Sequence, residues 1–207
     1  MTKFLILGDS ITFGAWDKAG GWAQRLRTFI EEKHPEEHLV YNVGISGDTS
    51  DSLLERLEFE TKNRTQEKSK IIFIFQIGTN DSVFLRNKKN LWVSQEIFRK
   101  NIKGIIKKSR NFSEKIFFIG ITPVDESRTQ PAYFDKNVIY RNEYIIKYNE
   151  IIKEVCNVEN IPFIELLDEF FKLNYKNLLQ DGVHPNSEGH KKIFEIVRDF
   201  LIENKII

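Results

Sequence analysis

Ser10 stands in GDSITFG (residues 8–14), between a short apolar run and a stretch with helical spacing. A serine on such a strand-to-helix corner projects from the end of the strand. Free backbone N–H groups lie beside it, because the first N–H groups of a helix have no partner within the helix. Its hydroxyl is a weak nucleophile and needs a base within hydrogen-bond reach. Four histidines are available. His34 and His38 lie in the charged turn EEKHPEEH ahead of the second apolar run, at the wrong edge of a parallel sheet. His190 falls inside the last helical pattern and reads as surface or packing. His184 lies in QDGVHPNSEG, three residues after Asp181. An Asp-x-x-His turn lets the carboxylate accept the imidazole Nδ1–H, which fixes the tautomer and leaves Nε2 to take the serine proton. Acyl transfer also needs donors for a developing oxyanion. The candidates are the N–H groups of Ser10 and Gly44 and the side-chain amide of Asn80. Each segment alone is ordinary, since glycines end strands and Asn closes turns. Their conjunction points to nucleophilic catalysis.

Something must bring residues 10, 44, 80, 181 and 184 together. Five apolar runs rich in Ile, Phe and Val read as strands: Phe4–Leu7, Leu39–Val43, Ile71–Ile77, Ile116–Ile119 and Ile161–Ile164. The third, IIFIFQI, is continuous rather than alternating, as expected of a strand covered on both faces. Helical spacing fills the gaps, as in Trp22, Leu26, Phe29 and Ile30, or Ile193, Val197, Phe200 and Leu201. Leu53, Leu54 and Leu57 suggest a shorter helix with Thr49 or Ser50 as its expected cap, and Asn186 or Ser187 is the expected cap of the last. Five strands alternating with five helices argue for a parallel sheet with helices on both faces. Sites in such sheets lie outside the carboxyl ends of the strands. That rule gathers Gly8-Asp9-Ser10, Gly44-Ile45-Ser46 and Gly78-Thr79-Asn80-Asp81 at one edge. Asp9, Asp48 and Asp81 in these segments read as structural, bonding turn backbone. Trp22 fits a buried helix face, whereas Phe13 and Trp16 suit an acyl pocket or the core. Residues 60–70 read as a solvated connector, and 122–137 as either a surface loop or a lid over the site.

Length and composition fit one globular domain spanning residues 1–207. Net charge is +1, from 31 basic and 30 acidic residues, which gives no reason to expect nucleic acid or an anionic membrane as partner. The single cysteine, Cys156, falls on a helical apolar pattern and reads as a small buried residue. No apolar stretch approaches the ~20 residues of a membrane span, and no secretory leader is visible, so a cytoplasmic location is expected. The motifs of metal sites and Walker loops do not occur, so neither metal nor cofactor is expected.

The blocks GDSI, NVGISGDT, GTND and DGVHP resemble, in order and over residues 4 to about 190, the GDSL esterase/lipase family of the SGNH hydrolase superfamily. On that resemblance the four name-giving residues are Ser10, Gly44, Asn80 and His184. It implies a flavodoxin-like three-layer α/β/α sandwich around a five-stranded parallel sheet. It further implies Ser10 as nucleophile, His184 as base, Asp181 as its partner, and an oxyanion hole of Ser10, Gly44 and Asn80. Ile11 stands where the family name has Leu, a mild apolar change. The function so implied is ester hydrolysis through an acyl-enzyme on a small-molecule ester, with short acyl or O-acetyl groups favoured. Lysophospholipase and thioesterase activities of the same superfamily are alternatives. A flavodoxin-like binding module for a small molecule is an alternative of another class, although it has no need of Asp181, His184 or Asn80. Oligomeric state is not legible.

Overall fold

The computed structural model describes residues 1–66 and 69–207. The chain opens on β1 (Thr2–Gly8), in which Phe4, Leu5, Ile6 and Leu7 are all fully buried. It turns through α1 (Ser10–Phe13), α2 (Gly21–Lys33), β2 (His38–Gly44), α3 (Ser50–Arg64) and β3 (Lys70–Gln76). A short excursion follows, β4 (Phe84–Leu85) and β5 (Asn90–Leu91), and then α4 (Gln95–Arg110) and β6 (Ile116–Ile119). Next come α5 (Glu126–Thr129), β7 (Val138–Ile139), α6 (Asn142–Glu159) and β8 (Phe163–Ile164). The chain ends with α7 (Leu167–Phe171), a 3-10 turn at Tyr175–Leu178 and α8 (Ser187–Glu203).

Five strands form one parallel sheet in the order β2-β1-β3-β6-β8. Side-chain alternation along β1 divides the interior in two. Phe4 and Ile6 face one core with Trp22, Leu26 and Ile30 of α2 and Ile193, Val197 and Leu201 of α8. Leu5 and Leu7 face the other with Leu53 and Leu57 of α3, Phe98 and Ile102 of α4, and Ile145 and Ile152 of α6. Full burial of each such side chain stabilises the fold by about 1.5–3 kcal/mol. The expected three layers are therefore present. The order reverses between β1 and β3, the topological switch point at which open α/β sheets carry their sites. Gly8 pairs in register with Gly44 on one side and Gln76 on the other, so the three segments leave the sheet at one level.

Three features differ from expectation. First, β4, β5 and β7 form a small antiparallel sheet in the order β5-β4-β7, and two-residue strands are too short to show any alternation in sequence. Second, α3 runs on to Arg64, so part of the 60–70 connector is helix, extended by i,i+4 pairs of Glu58 with Lys62 and Glu60 with Arg64. Residues 67 and 68 of that connector lie outside the described residues. Third, Thr49 occupies the N-cap of α3 without a side-chain bond, and the Asp81 carboxylate accepts the Ser50 N–H instead. Asn186 caps α8 as expected, accepting from the Gly189 N–H. Cys156 is buried on α6, and burial pushes its thiol up to about 12. Among the described residues no helix is long and apolar enough to cross a membrane.

Candidate active site

The corner after β1 is built by Asp9, whose carboxylate accepts the Ile11 N–H and so caps α1. Ser10 is the first residue of that helix. Its Oγ lies 2.8 Å from His184 Nε2, and His184 Nδ1 lies 2.7 Å from Asp181 Oδ2. Asp181 Oδ1 accepts the N–H groups of Val183 and His184, which winds the loop around its own carboxylate. Burial opposes ionisation of Asp181, but the His184 ring and the two N–H groups outweigh it and hold the carboxyl at about 2. With an ionised carboxylate on Nδ1, the imidazole is set to carry its proton there and offer Nε2 to Ser10. The structure thus brings together three of the residues expected at the site, from opposite ends of the chain.

Asn80 also reaches the site. Its Nδ2 donates to the Asp48 carbonyl at 2.8 Å, leaving a second N–H on the same nitrogen. Its Oδ1 accepts the Tyr140 hydroxyl at 3.4 Å, and burial pushes that phenol up, so it remains a donor.

Gly44 is not placed as expected. Its N–H donates to Asn42 Oδ1 at 3.0 Å, and the residue does not line the cavity around Ser10. Its role is close packing, because a Cβ there would sit 2.3 Å from the Phe13 nitrogen. Gly47, three residues on in the SGDT turn that follows β2, lines the cavity at φ +85°. Its N–H has no hydrogen-bond partner among the described residues. Strand pairing explains the difference. Gly44 is locked beside Gly8, and only the loop past the strand end extends over Ser10. A Gly44→Ala change is expected to lower stability by about 1–3 kcal/mol, since the clash is with backbone that cannot rotate away. Thermal denaturation measures it, and an unshifted midpoint contradicts the packing role.

The carboxylates beside the site serve the loops. Asp48 pairs with Arg56, whose guanidinium also donates to the Gly8 carbonyl. Asp81 accepts the N–H and hydroxyl of Ser50, and Ser50 Oγ accepts Asn101 Nδ2. Burial pushes Asp9 up to about 6 and Asp81 up to about 7. His190, read from sequence as surface or packing, is fully buried and links loops: Nδ1 accepts the Trp22 N–H and Nε2 meets the Ala15 carbonyl. Burial lowers it to about 4, so it is neutral near pH 7.

The Ser10–His184 pair opens into a cavity of about 730 Å³. Its walls include Trp16, Leu85, Trp92, Tyr133, Phe134 and Val138, with Asn87, Lys88, Asp135 and Asn137 among them. The small antiparallel sheet thus contributes Leu85 and Val138 to the wall of the site, and of the 122–137 segment Tyr133, Phe134, Asp135 and Asn137 line it. Trp92 carried no legible signal, because its position depends on that sheet. Phe13 is exposed and does not line the cavity. As to metals, His34, Glu37 and His38 form the one group of ligand atoms within 4.8 Å of one another among the described residues. They lie at the amino end of β2, away from Ser10.

A parallel α/β/α sheet with a Ser–His–Asp hydrogen-bonded line at its switch point has the layout of a serine acylhydrolase. The chain belongs to the GDSL-like lipase/acylhydrolase family, whose model matches residues 6–192. A multidomain esterase of Ruminococcus flavefaciens is 28% identical over 92% of this chain, and the chain spans only 27% of that protein. An isoamyl acetate-hydrolyzing esterase of Saccharomyces cerevisiae is 24% identical over 91% of this chain and 81% of its own length. The fold is also that of a lipase/acylhydrolase from Enterococcus faecalis, with a TM-score of 0.78, 24% identity, and coverage of 97% of this chain and 95% of that one.

Proposed function

We propose that this protein is a serine-dependent carboxylic ester hydrolase acting on short acyl esters of a larger alcohol. The observation that carries the reading is the unbroken line from Ser10 Oγ through His184 to Asp181, open to the cavity. Ser10 Oγ attacks the acyl carbonyl carbon as His184 Nε2 takes its proton. The tetrahedral oxyanion is met by the N–H groups of Ser10 and Gly47 and the free N–H of Asn80. As the intermediate collapses, His184 protonates the departing alkoxide and the acyl group remains on Ser10. Water, deprotonated by His184, then releases the acid and restores Ser10.

The cavity supports a small acyl group with a bulky alcohol. Aromatic faces at Trp92, Tyr133 and Phe134 suit flat or ring-bearing leaving groups, and the Asn and Asp side chains beside them suit hydroxyls. The yeast relative's name specifies an acetate ester, in keeping with this. Hydrolysis of p-nitrophenyl esters from acetate to palmitate tests it. Highest kcat/KM is expected at acetate to butyrate, falling at least about tenfold by C8. An optimum at long chains replaces the short-acyl reading with a lysophospholipase or thioesterase one. No turnover by folded protein, together with no labelling of Ser10 by a fluorophosphonate, leaves a small-molecule binding role.

A further inference from the structure

We propose that Trp16 is a positioning residue, its indole N–H holding the Asp181 carboxylate in line with His184; the inference rests on the Ser10–His184–Asp181 reading. Trp16 Nε1 donates to Asp181 Oδ2 at 3.1 Å, the same oxygen that accepts His184 Nδ1–H. A carboxylate offers about four acceptor sites. Three of those on Asp181 are filled from its own loop, by the N–H groups of Val183 and His184 and by the His184 ring. The fourth is filled from a residue six positions after the nucleophile. The bond therefore ties the segment that carries Ser10 directly to the carboxylate that orients its base.

Core packing does not account for this side chain. Trp16 is 59% exposed, while the other tryptophan of the same segment, Trp22, is fully buried. Trp16 also holds φ +67°, a left-handed conformation that a bulky residue adopts only when its surroundings impose it. Holding that conformation is what lets a residue just past the α1 cap turn its indole N–H back onto Asp181. The rest of its ring lines the cavity beside Ser10 and His184.

Removing the N–H has two consequences. Asp181 Oδ2 loses the donor that fixes its direction, so the His184 ring is aligned with Ser10 in fewer molecules. The carboxylate also keeps more of its charge for the imidazolium. The ionisable groups around His184 include Asp181 on its own loop, buried Asp9 beside Ser10 and neutral His190 on α8, with Lys88, Asp135 and protonated Tyr140 lining the same cavity and Arg128 lying beside Trp16 and Asp181. The substitution acts on the Asp181 contact and leaves the other groups in place.

The test is Trp16→Phe, compared with wild type and Ser10→Ala on p-nitrophenyl acetate across pH 5–9. Expected is a fall in kcat of about tenfold, the worth of one hydrogen bond to a charged group. KM should change little, and the acid limb of kcat/KM should move up by about half a pH unit. A purely structural tryptophan would lower the folded fraction and leave the limb in place. If Trp16→Phe fails to fold, β-(3-benzothienyl)alanine at position 16, which keeps the ring and lacks the N–H, gives the same readout. Unchanged kcat and an unmoved limb in either variant, with activity still abolished by Ser10→Ala, overturn the positioning role alone. Full activity in Ser10→Ala overturns the serine mechanism beneath it.

Discussion

Replacing Ser10 by alanine is expected to reduce ester turnover by a factor on the order of a million while leaving the protein folded. The magnitude follows from how triad members act: each is useless without the others, so losing the nucleophile costs nearly the whole covalent route, and what survives comes from oxyanion donors and binding. The fold should tolerate the change because Ser10 Oγ makes one hydrogen bond, to His184 Nε2, and supports no backbone. Ser10 opens α1, and alanine is the better helix former there. The cap on that turn comes from Asp9, which the substitution leaves alone. The thermal midpoint should stay within a few degrees of wild type. Labelling by a fluorophosphonate should vanish with activity. Turnover persisting in the alanine variant would mean that water, not Ser10, is the nucleophile.

The parts of this molecule that could be read from its sequence are those in which chemistry is local. β1 and β3 announce themselves because a strand buried on both faces has no reason to alternate, so Phe4–Leu7 and Ile71–Phe75 are continuous apolar runs. Asp181 and His184 are legible because one four-residue turn contains both, and Ser10 because glycines bracket its corner. Gly44 misled for a physical reason. Sequence marks where a strand ends, but not which backbone N–H beyond that end is left free. Asn42, two residues earlier, accepts the Gly44 N–H, and the free one belongs to Gly47. The wall built by β4, β5 and β7 was invisible, since six strand residues in three places carry no period. Trp16 could be placed in a pocket or in the core from its type alone. Its exposure, its place in the cavity wall and the 3.1 Å bond to Asp181 separate those readings.

Asp181→Asn is expected to cost about four orders of magnitude in kcat. The carboxylate accepts four donors and donates nothing: two backbone N–H groups at Oδ1, the His184 ring and the Trp16 indole at Oδ2. An amide cannot reproduce that set. If its oxygen stays with the backbone pair, its NH₂ faces His184 Nδ1, and the imidazole must carry its proton on Nε2 instead. That proton then points at Ser10 Oγ, and the serine has no base. If the amide is reversed, the NH₂ meets two backbone N–H groups and the loop loses its wrap. KM should move far less than kcat, because no part of the carboxylate binds the ester. The substitution also has a pH signature in stability. Asp181 titrates at about 2 in the folded protein, below its ordinary 3.8, so its contribution is fully present above about pH 4 and fades as pH falls towards 2. The stability gap between wild type and Asp181→Asn should therefore be widest near neutrality and narrow steadily in acid. Denaturant midpoints at pH 7 and pH 3 measure it. A gap that is constant with pH, or an asparagine variant with undiminished kcat, would show that the His184–Asp181 bond neither orients the base nor holds the loop.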